Sequence, residues 1–126
     1  MSKPLCKIVL VEEEPILRDI TVFRLELLGY TVVSFEAARD ANAWLQTELP
    51  GLIVVGNVAE ADSLEFMNHL SNEQRTSEIP VVYLSGSSDL EDVQKAYNAG
   101  ADEFLVTPYD PIVLEKKVSQ LLVLTA

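Results

Sequence analysis

The chain has 126 residues, the length of about one domain, and its composition of 48% apolar and 23% charged residues is typical of a globular protein. Twenty acidic residues against nine basic ones give a net charge of −11 and a pI near 4.3, which disfavours binding to nucleic acid and to anionic membranes. A single cysteine, Cys6, excludes an internal disulfide, and no apolar run approaches the ~20 residues of a membrane helix. We expect one cytoplasmic domain over residues 1–126, without a cofactor.

Five short runs rich in apolar and β-branched residues are predicted to be strands. Most of them are continuously apolar, which is typical of strands covered on both faces in a parallel sheet. The second run is more polar, since it contains Thr31 and Ser34, and this favours an edge strand. The predicted strands are Lys7–Val11, Thr31–Phe35, Leu52–Val55, Val81–Leu84 and Glu103–Val106.

Apolar residues recur at helical spacing between the strands, which predicts five helices. In the first helix four apolar residues step by four, three and four, and we expect this stripe to face the core, as we do for the other helices. The first stripe is Ile16, Ile20, Phe23 and Leu27; the others are Ala37, Ala41, Trp44 and Leu45, then Leu64, Met67 and Leu70, then Leu90, Val93 and Tyr97, and finally Leu114, Val118 and Leu121.

Proline and short polar residues mark the predicted helix boundaries. Pro15 and Pro111 suit a first helical turn, where a missing N–H costs nothing, and Asp110 can cap the helix that Pro111 opens. The spacing of Ser88 and Glu91 predicts a capping box at the start of the fourth helix.

The alternation of strand and helix predicts a three-layer α/β sandwich with right-handed crossovers around a parallel sheet. Ligand sites in such sheets lie beyond the carboxyl ends of the strands. Three consecutive carboxylates, Glu12–Glu14, follow the first strand, and they suit either a hard cation or a solvated turn. They exclude a phosphate cradle, which needs glycine-rich amides.

Several runs, in this order and spacing, resemble the receiver domain of two-component response regulators. They are IVLV-EEEP, LIVV, VVYLSG, AGADEFL and TPYDP, and the resemblance extends from about Lys7 to about Leu122. It implies a (βα)5 fold with the flavodoxin-like strand order 2-1-3-4-5. It also implies a site where an acidic pair holds magnesium, an aspartate accepts a phosphoryl group, and a hydroxyl and a lysine contact its oxygens.

The family's functional positions can be carried onto this sequence one by one. The resemblance also implies a cis peptide bond before the proline that follows the lysine position. The matching positions are Glu12 and Glu13 for the acidic pair, Gly56 for the acceptor, Ser85 for the hydroxyl, Phe104 for a switching aromatic, Thr107 for the lysine and Pro108 for the proline.

Two departures from the family pattern indicate a degenerate receiver, or pseudo-receiver. Gly56 offers no carboxylate to attack a phosphoryl donor, and Thr107 offers no cation to phosphoryl oxygens. We therefore expect no enzymatic activity and no functional metal site. Glu12 and Glu13 are only weak candidates for magnesium, and we expect both to point into water.

A receiver without an acceptor is predicted to act by protein–protein contact, without aspartate phosphorylation. The partner is another protein, an output domain of the same regulator if the chain is its amino-terminal part, or a second copy. The resemblance places the contact on the fourth helix, fifth strand and fifth helix, with Tyr97, Phe104, Tyr109 and Lys116. The alternative is a cation or small-effector sensor that uses the acidic cleft, with room left near Gly56.

Overall fold

A computed structural model describes the backbone of residues 6–125 and the side chains of residues 6–122. Strands and helices alternate throughout these residues, as predicted, and the strand bounds agree with the prediction except that the fourth strand is one residue longer. The elements are β1 (Lys7–Val11), α1 (Pro15–Leu27), β2 (Thr31–Phe35), α2 (Ala38–Leu45), β3 (Leu52–Val55), α3 (Ser63–Asn72), β4 (Val81–Ser85), α4 (Leu90–Asn98), β5 (Glu103–Val106) and α5 (Pro111–Thr125).

The five strands form one parallel sheet in the order β2-β1-β3-β4-β5, which confirms the predicted fold and the edge position of β2. β2 pairs with one edge of β1 and β3 pairs with the other, so the strand order reverses at β1. Val11 is in register with Val55, so the residues that follow β1 and β3 leave the sheet side by side. This register positions the cleft.

Helices cover both faces of the sheet, and each face has its own apolar core. Along β1, Val9 and Val11 pack into a cluster with residues of α2, α3 and α4, whereas Ile8 and Leu10 pack into a cluster with residues of α1 and α5. All four side chains are fully buried. The uninterrupted apolar runs therefore arise because alternate residues serve opposite cores.

The core-facing side of α1 differs from the prediction. Thr21 and Leu25 are fully buried, and the Thr21 hydroxyl is 2.5 Å from the Tyr109 hydroxyl, which satisfies its hydrogen bonding inside the protein. The predicted stripe is wrong, because it lies on the outer side of the helix. Its exposed fractions are 68% for Ile16, 48% for Ile20, 60% for Phe23 and 63% for Leu27.

The predicted stripe of α4 is wrong in a similar way, because Leu90 and Tyr97 are exposed and Ala96 is the buried residue. The helix begins as expected, but through a different contact than the predicted capping box. The hydroxyl of Ser87 accepts from the backbone N–H of Asp89 (3.2 Å) and donates to the Asp92 carboxylate (2.6 Å).

The remaining helices follow their predicted stripes, with Ala41 and Leu45 buried in α2 and Leu114 and Val118 buried in α5. Asp110 caps α5 through its carboxylate, which accepts from the backbone N–H of Ile112 (2.9 Å). Among the described residues, no helix combines the length and the apolar character needed to cross a bilayer.

Candidate functional site

The carboxyl ends of four strands bring the predicted site residues to one edge of the sheet. Glu12 follows β1, Gly56 follows β3, Ser85 ends β4 and Thr107 follows β5. Backbone hydrogen bonds continue the sheet past the strand ends, from the N–H of Gly56 to the carbonyl of Val11 (2.8 Å) and from the N–H of Thr107 to the carbonyl of Ser85 (2.7 Å). The cleft is thus built on rigid backbone.

The Glu12 side chain is buried, with only 1% of its surface exposed. One carboxylate oxygen, Oε2, accepts from the backbone N–H of Glu14 (2.9 Å), and the other, Oε1, accepts from the backbone N–H of Asn57 (3.3 Å). Burial raises the pKa of this carboxyl, although the two backbone hydrogen bonds partly oppose the rise. The expectation that Glu12 points into water is wrong; Glu13 is exposed as expected.

The space in front of Gly56 is occupied by the Glu12 side chain. A Cβ atom placed on Gly56 would come within 2.0 Å of Glu12 Oε1 and 2.9 Å of its carboxyl carbon, distances that no real structure tolerates. The predicted room near Gly56 is therefore absent. The extra methylene of a glutamate carries the carboxylate across the cleft, into the volume that a side chain at position 56 would take.

The described residues do not fit the magnesium ion that the family resemblance implies. Both oxygens of Glu12 are directed at backbone N–H groups, and Glu13 faces solvent. In the part of the chain that the structure describes, no three acidic, histidine or cysteine side chains are grouped to hold a metal ion. Magnesium requires near-octahedral oxygen ligands, which this arrangement does not present.

Arg18 supplies a positive charge beside the acidic loop, a contact that sequence reasoning missed. Its guanidinium donates to the backbone carbonyls of Glu12 (3.0 Å) and Glu13 (3.5 Å). Arg18 lies one helical turn after Glu14, whose carboxylate caps α1 by accepting from the N–H of Leu17 (2.7 Å). These contacts attach the loop to α1. Arg18 uses the backbone carbonyls of the loop, so it does not draw the Glu12 carboxylate out of the cleft.

Ser85 and Thr107 occupy the remaining corners of the cleft. The Ser85 hydroxyl accepts from the backbone N–H of Ser87 (3.1 Å), which is the turn role that the run of small residues favours. Thr107 is half-buried, and the Thr107–Pro108 peptide bond is cis. Neither side chain carries a positive charge, so Ser85 and Thr107 bring no cation to the cleft.

Tyr83 and Ser63 also belong to this cleft, and sequence reasoning missed both. Tyr83 contacts Ser85 and Ser63 through its hydroxyl, and burial raises the pKa of that hydroxyl. Ser63 donates to the carbonyl of Gly56 (2.7 Å). The signal for Tyr83 was available, because residues two apart on a strand share a face and Tyr83 precedes Ser85 by two.

The ring of Phe104 packs edge-on against the ring of Tyr83, with centroids 5.7 Å apart. Phe104 is half-buried and packs against the apolar cluster that includes residues of α4. Tyr83 therefore contacts both Phe104 and Ser85, and it connects the aromatic residue of β5 to the hydroxyl in the cleft.

The four residues predicted to form one interaction face are spread over different surroundings. Tyr97 is exposed on α4, and Lys116 is exposed in a groove between α1 and α5. Tyr109 packs into the core of α1 and α5, where burial raises the pKa of its hydroxyl beside Thr21. Tyr109 is half-buried, and its hydroxyl is hydrogen-bonded to that of the buried Thr21.

Residues 8–119 match the response regulator receiver domain family. Response regulator Rre1 of Synechocystis sp. is 34% identical over 125 residues, which cover 97% of this chain and 53% of Rre1. The phosphate regulon transcriptional regulatory protein PhoB of Escherichia coli K12 is 31% identical over 113 residues, which cover 89% of this chain and 49% of PhoB. The chain thus spans about half the length of these relatives.

The fold agrees with solved structures of similar chains. The chemotaxis response regulator CheY4 of Vibrio cholerae superimposes with a TM-score of 0.87 and 23% sequence identity, covering 94% of this chain and 99% of that chain. Because the match to the family extends over residues 8–119 and the sheet order is the one expected for it, the chain belongs to the response regulator receiver domain family and is a receiver domain of a two-component system.

Proposed function

We propose that this receiver domain signals by protein–protein contact, without phosphorylation of an aspartate. The observation that carries the proposal is Gly56, which stands at the acceptor position with the Glu12 carboxylate filling the space in front of it. An acyl phosphate forms only when a carboxylate oxygen attacks the phosphoryl donor. Asn57, the next residue, is exposed and carries a neutral amide, a poor nucleophile.

The electrostatics of the cleft also oppose phosphoryl binding. Glu12 places a carboxyl group where an incoming anion would lie, and Thr107 brings no compensating positive charge. Like charges in a shielded cleft repel more strongly than in water. A phosphoryl group would thus meet the Glu12 carboxyl group in front of Gly56 and an uncharged threonine at the position where the family offers a lysine.

The proposed contact surface comprises α4 and β5. Leu90 is 81% exposed, Tyr97 45% and Val106 39%, and the last lies on the edge strand of the sheet. Phe104 lies behind them against Tyr83, so a partner that moves this aromatic pair would act on Ser85 in the cleft. A partner that binds one arrangement better than another biases the domain without any covalent input.

We propose no catalytic activity for the domain. His69 is exposed on α3 with its Nε2 atom 3.8 Å from the carboxylate of Glu73, an ordinary pair one helical turn apart, and Cys6 precedes β1. These two groups lie on different elements, which does not favour a nucleophile and base pair. We also propose that the domain lies in the cytoplasm, a compartment that its acidic composition and its single cysteine favour.

The proposal is tested by amide NMR spectra recorded with and without magnesium and beryllium fluoride, a mimic of the acyl phosphate. We expect no shift at Gly56, Ser85 or Thr107, because residue 56 has no carboxylate oxygen to bind the mimic. Intact mass measured after exposure to acetyl phosphate is expected to stay constant. A saturable shift at these amides, or an alkali-labile adduct, would overturn the proposal.

A restored variant is the matched control for these spectra. Gly56→Asp with Thr107→Lys supplies an acceptor and a cation, and adding Glu12→Asp withdraws the carboxylate that fills the cleft. We expect the triple variant to respond to beryllium fluoride and the double variant to respond weakly, because the double variant keeps the clash between positions 12 and 56. The same titrations with magnesium or calcium alone test the effector-sensor alternative, which predicts shifts in the unaltered chain.

A further inference from the structure

The Glu12 carboxyl group is held in the cleft as a bound anion would be. Its Oε2 atom accepts from the backbone N–H of Glu14 (2.9 Å) and its Oε1 atom from that of Asn57 (3.3 Å). A protonated carboxyl group must donate from one of its oxygens, so acceptance by both oxygens is the pattern of an ionised carboxylate. The cleft therefore holds a carboxylate between two N–H donors, where the family resemblance implies a divalent cation.

The two N–H donors are positioned by the backbone and not by the Glu12 side chain. Glu14 is the cap of α1 and Asn57 follows β3, so the donors come from two separate segments. The backbone N–H of Glu13 donates to the carbonyl of Asn57 (2.7 Å) and joins these segments. The backbone N–H of Glu12 donates to the carbonyl of Phe35 (2.9 Å), which attaches the loop to β2. We therefore expect the donor pair to stay in place when the side chain is shortened.

Gly56 supplies the space in which the carboxylate lies. A Cβ atom on this residue would stand 2.0 Å from Oε1 of Glu12 and 2.9 Å from the carboxyl carbon. A side chain at position 56 would thus compete with the carboxylate for the same volume. The space in front of Gly56, together with the backbone N–H groups of Glu14 and Asn57, is called here the carboxylate seat.

We propose that Glu12 is an autoinhibitory ligand of the carboxylate seat, and that the seat binds a small free carboxylate such as formate when the Glu12 side chain is removed. A tethered ligand acts at a high effective concentration when its linker is short, so free formate does not displace Glu12 from the unaltered chain. The inference does not depend on the proposed function, because the seat can be tested without reference to phosphorylation.

Titration of Glu12→Ala with sodium formate tests the inference. The change removes a methylene and the carboxylate, and formate restores the carboxylate without a covalent bond. A ligand of three heavy atoms binds no tighter than about 1 mM, so the titration extends to about 0.3 M. We expect saturable NMR shifts of the Glu14 and Asn57 amides and a rise in Tm of about 2–6 °C. Sodium chloride at equal ionic strength is the reference, because salt also screens the net charge of −11.

Two matched variants locate the bound formate. Adding Gly56→Ala to Glu12→Ala places a methyl group in the carboxylate seat and should abolish both responses. Glu13→Ala removes an exposed carboxylate of the same loop and leaves the seat filled by Glu12. This variant, like the unaltered chain, should not respond to formate.

Glu12→Gln gives a second measurement that does not require the alanine variant to fold. Glutamine keeps the size of the side chain, but an NH₂ group, which cannot accept a hydrogen bond, replaces one carboxylate oxygen. One of the two backbone N–H groups then loses its acceptor. We expect hydrogen exchange of the Glu14 or the Asn57 amide to become about tenfold faster than in the unaltered chain.

Three results would overturn the inference. One is a folded Glu12→Ala chain whose Glu14 and Asn57 amides show no saturable shift with formate. Another is an equal response in the unaltered chain or in the double variant with Gly56→Ala, since formate would then bind elsewhere. The third is unchanged exchange of both amides in Glu12→Gln, because the carboxylate would then not be their acceptor.

Discussion

Glu12 and Gly56 act as one unit, because the side chain of the first occupies the space that the second leaves empty. Oε1 of Glu12 accepts from the backbone N–H of Asn57 (3.3 Å) and lies 2.0 Å from the place where a Cβ of residue 56 would stand, so a side chain there would have to displace the carboxylate. Conversely, Gly56 is surrounded by a buried carboxyl group and not by a void. The absence of a side chain at position 56 and the burial of the Glu12 carboxyl group are therefore physically coupled.

The coupling predicts a non-additive pair of substitutions. Gly56→Ala should lower the free energy of unfolding by about 1–3 kcal/mol, because its Cβ overlaps the Glu12 carboxylate. In a Glu12→Ala background the same change should cost less than about 0.5 kcal/mol. Urea denaturation of the four proteins measures this cycle.

Gly86→Ala is the control for that cycle. A Cβ at Gly86 meets nothing closer than the Thr107 hydroxyl at 4.0 Å, so its effect should stay within about 0.5 kcal/mol. Equal costs of Gly56→Ala with and without Glu12 would show that the two residues do not share the space.

The raised pKa of Glu12 predicts how stability depends on pH. A carboxyl whose pKa is higher in the folded than in the unfolded state, where it is near 4.5, favours folding when it is protonated. That contribution is complete below about pH 4.5 and is lost as pH rises through the folded-state pKa. Relative to Glu12→Gln, which does not ionise, the unaltered chain should therefore lose stability as pH rises from 4.5.

Urea denaturation of both proteins between about pH 4 and pH 8 measures that difference. Glu13→Gln, which removes an exposed carboxylate of the same loop, separates the burial of Glu12 from the general charge of the loop. A stability difference that grows in favour of the unaltered chain toward neutral pH contradicts the assignment.

At the scale of elements, α1 shows why the apolar pattern of a helix does not by itself identify its buried side. The helix has apolar residues on most of its circumference, and Thr21 enters the core because Tyr109 provides a partner for its hydroxyl. The stripe of largest side chains, which the sequence favours, lies outside. The buried side is held by Leu25 in the core, by the Arg24–Glu115 ion pair and by the contact of Thr21 with Tyr109, which joins residues 88 positions apart.

The two sides of α1 predict opposite mutational effects. Leu25→Ala should lower the free energy of unfolding by about 2–5 kcal/mol, because it leaves a cavity among fully buried side chains. Phe23→Ala, at an exposed residue of the same helix, should change it by less than about 0.5 kcal/mol. Urea denaturation at a protein concentration that keeps the chain monomeric compares them, and a larger cost for Phe23→Ala would contradict the observed burial.

At the scale of the whole molecule, the sheet explains why the strands could be predicted from the sequence and the contents of the cleft could not. Strands buried on both faces need continuous apolar runs, so their positions are evident from composition, and the crossovers between them follow from chirality. The cleft at their carboxyl ends follows from the same topology. The contents of the cleft do not, since Glu12, Ser63 and Tyr83 meet there from separate segments.

The sequence by itself determined the strands and the receiver fold, and it places a glycine at position 56 and a threonine at position 107, because these depend on residue type and local pattern. The tertiary structure decided that Glu12 is buried in the cleft and that the apolar stripe of α1 from Ile16 to Leu27 faces outward. Both outcomes involve contacts between distant residues, from Glu12 to the N–H of Asn57 in one case and from α1 to Tyr109 and Glu115 in the other. Such pairings are set by the packing of the whole chain, which no local spacing encodes.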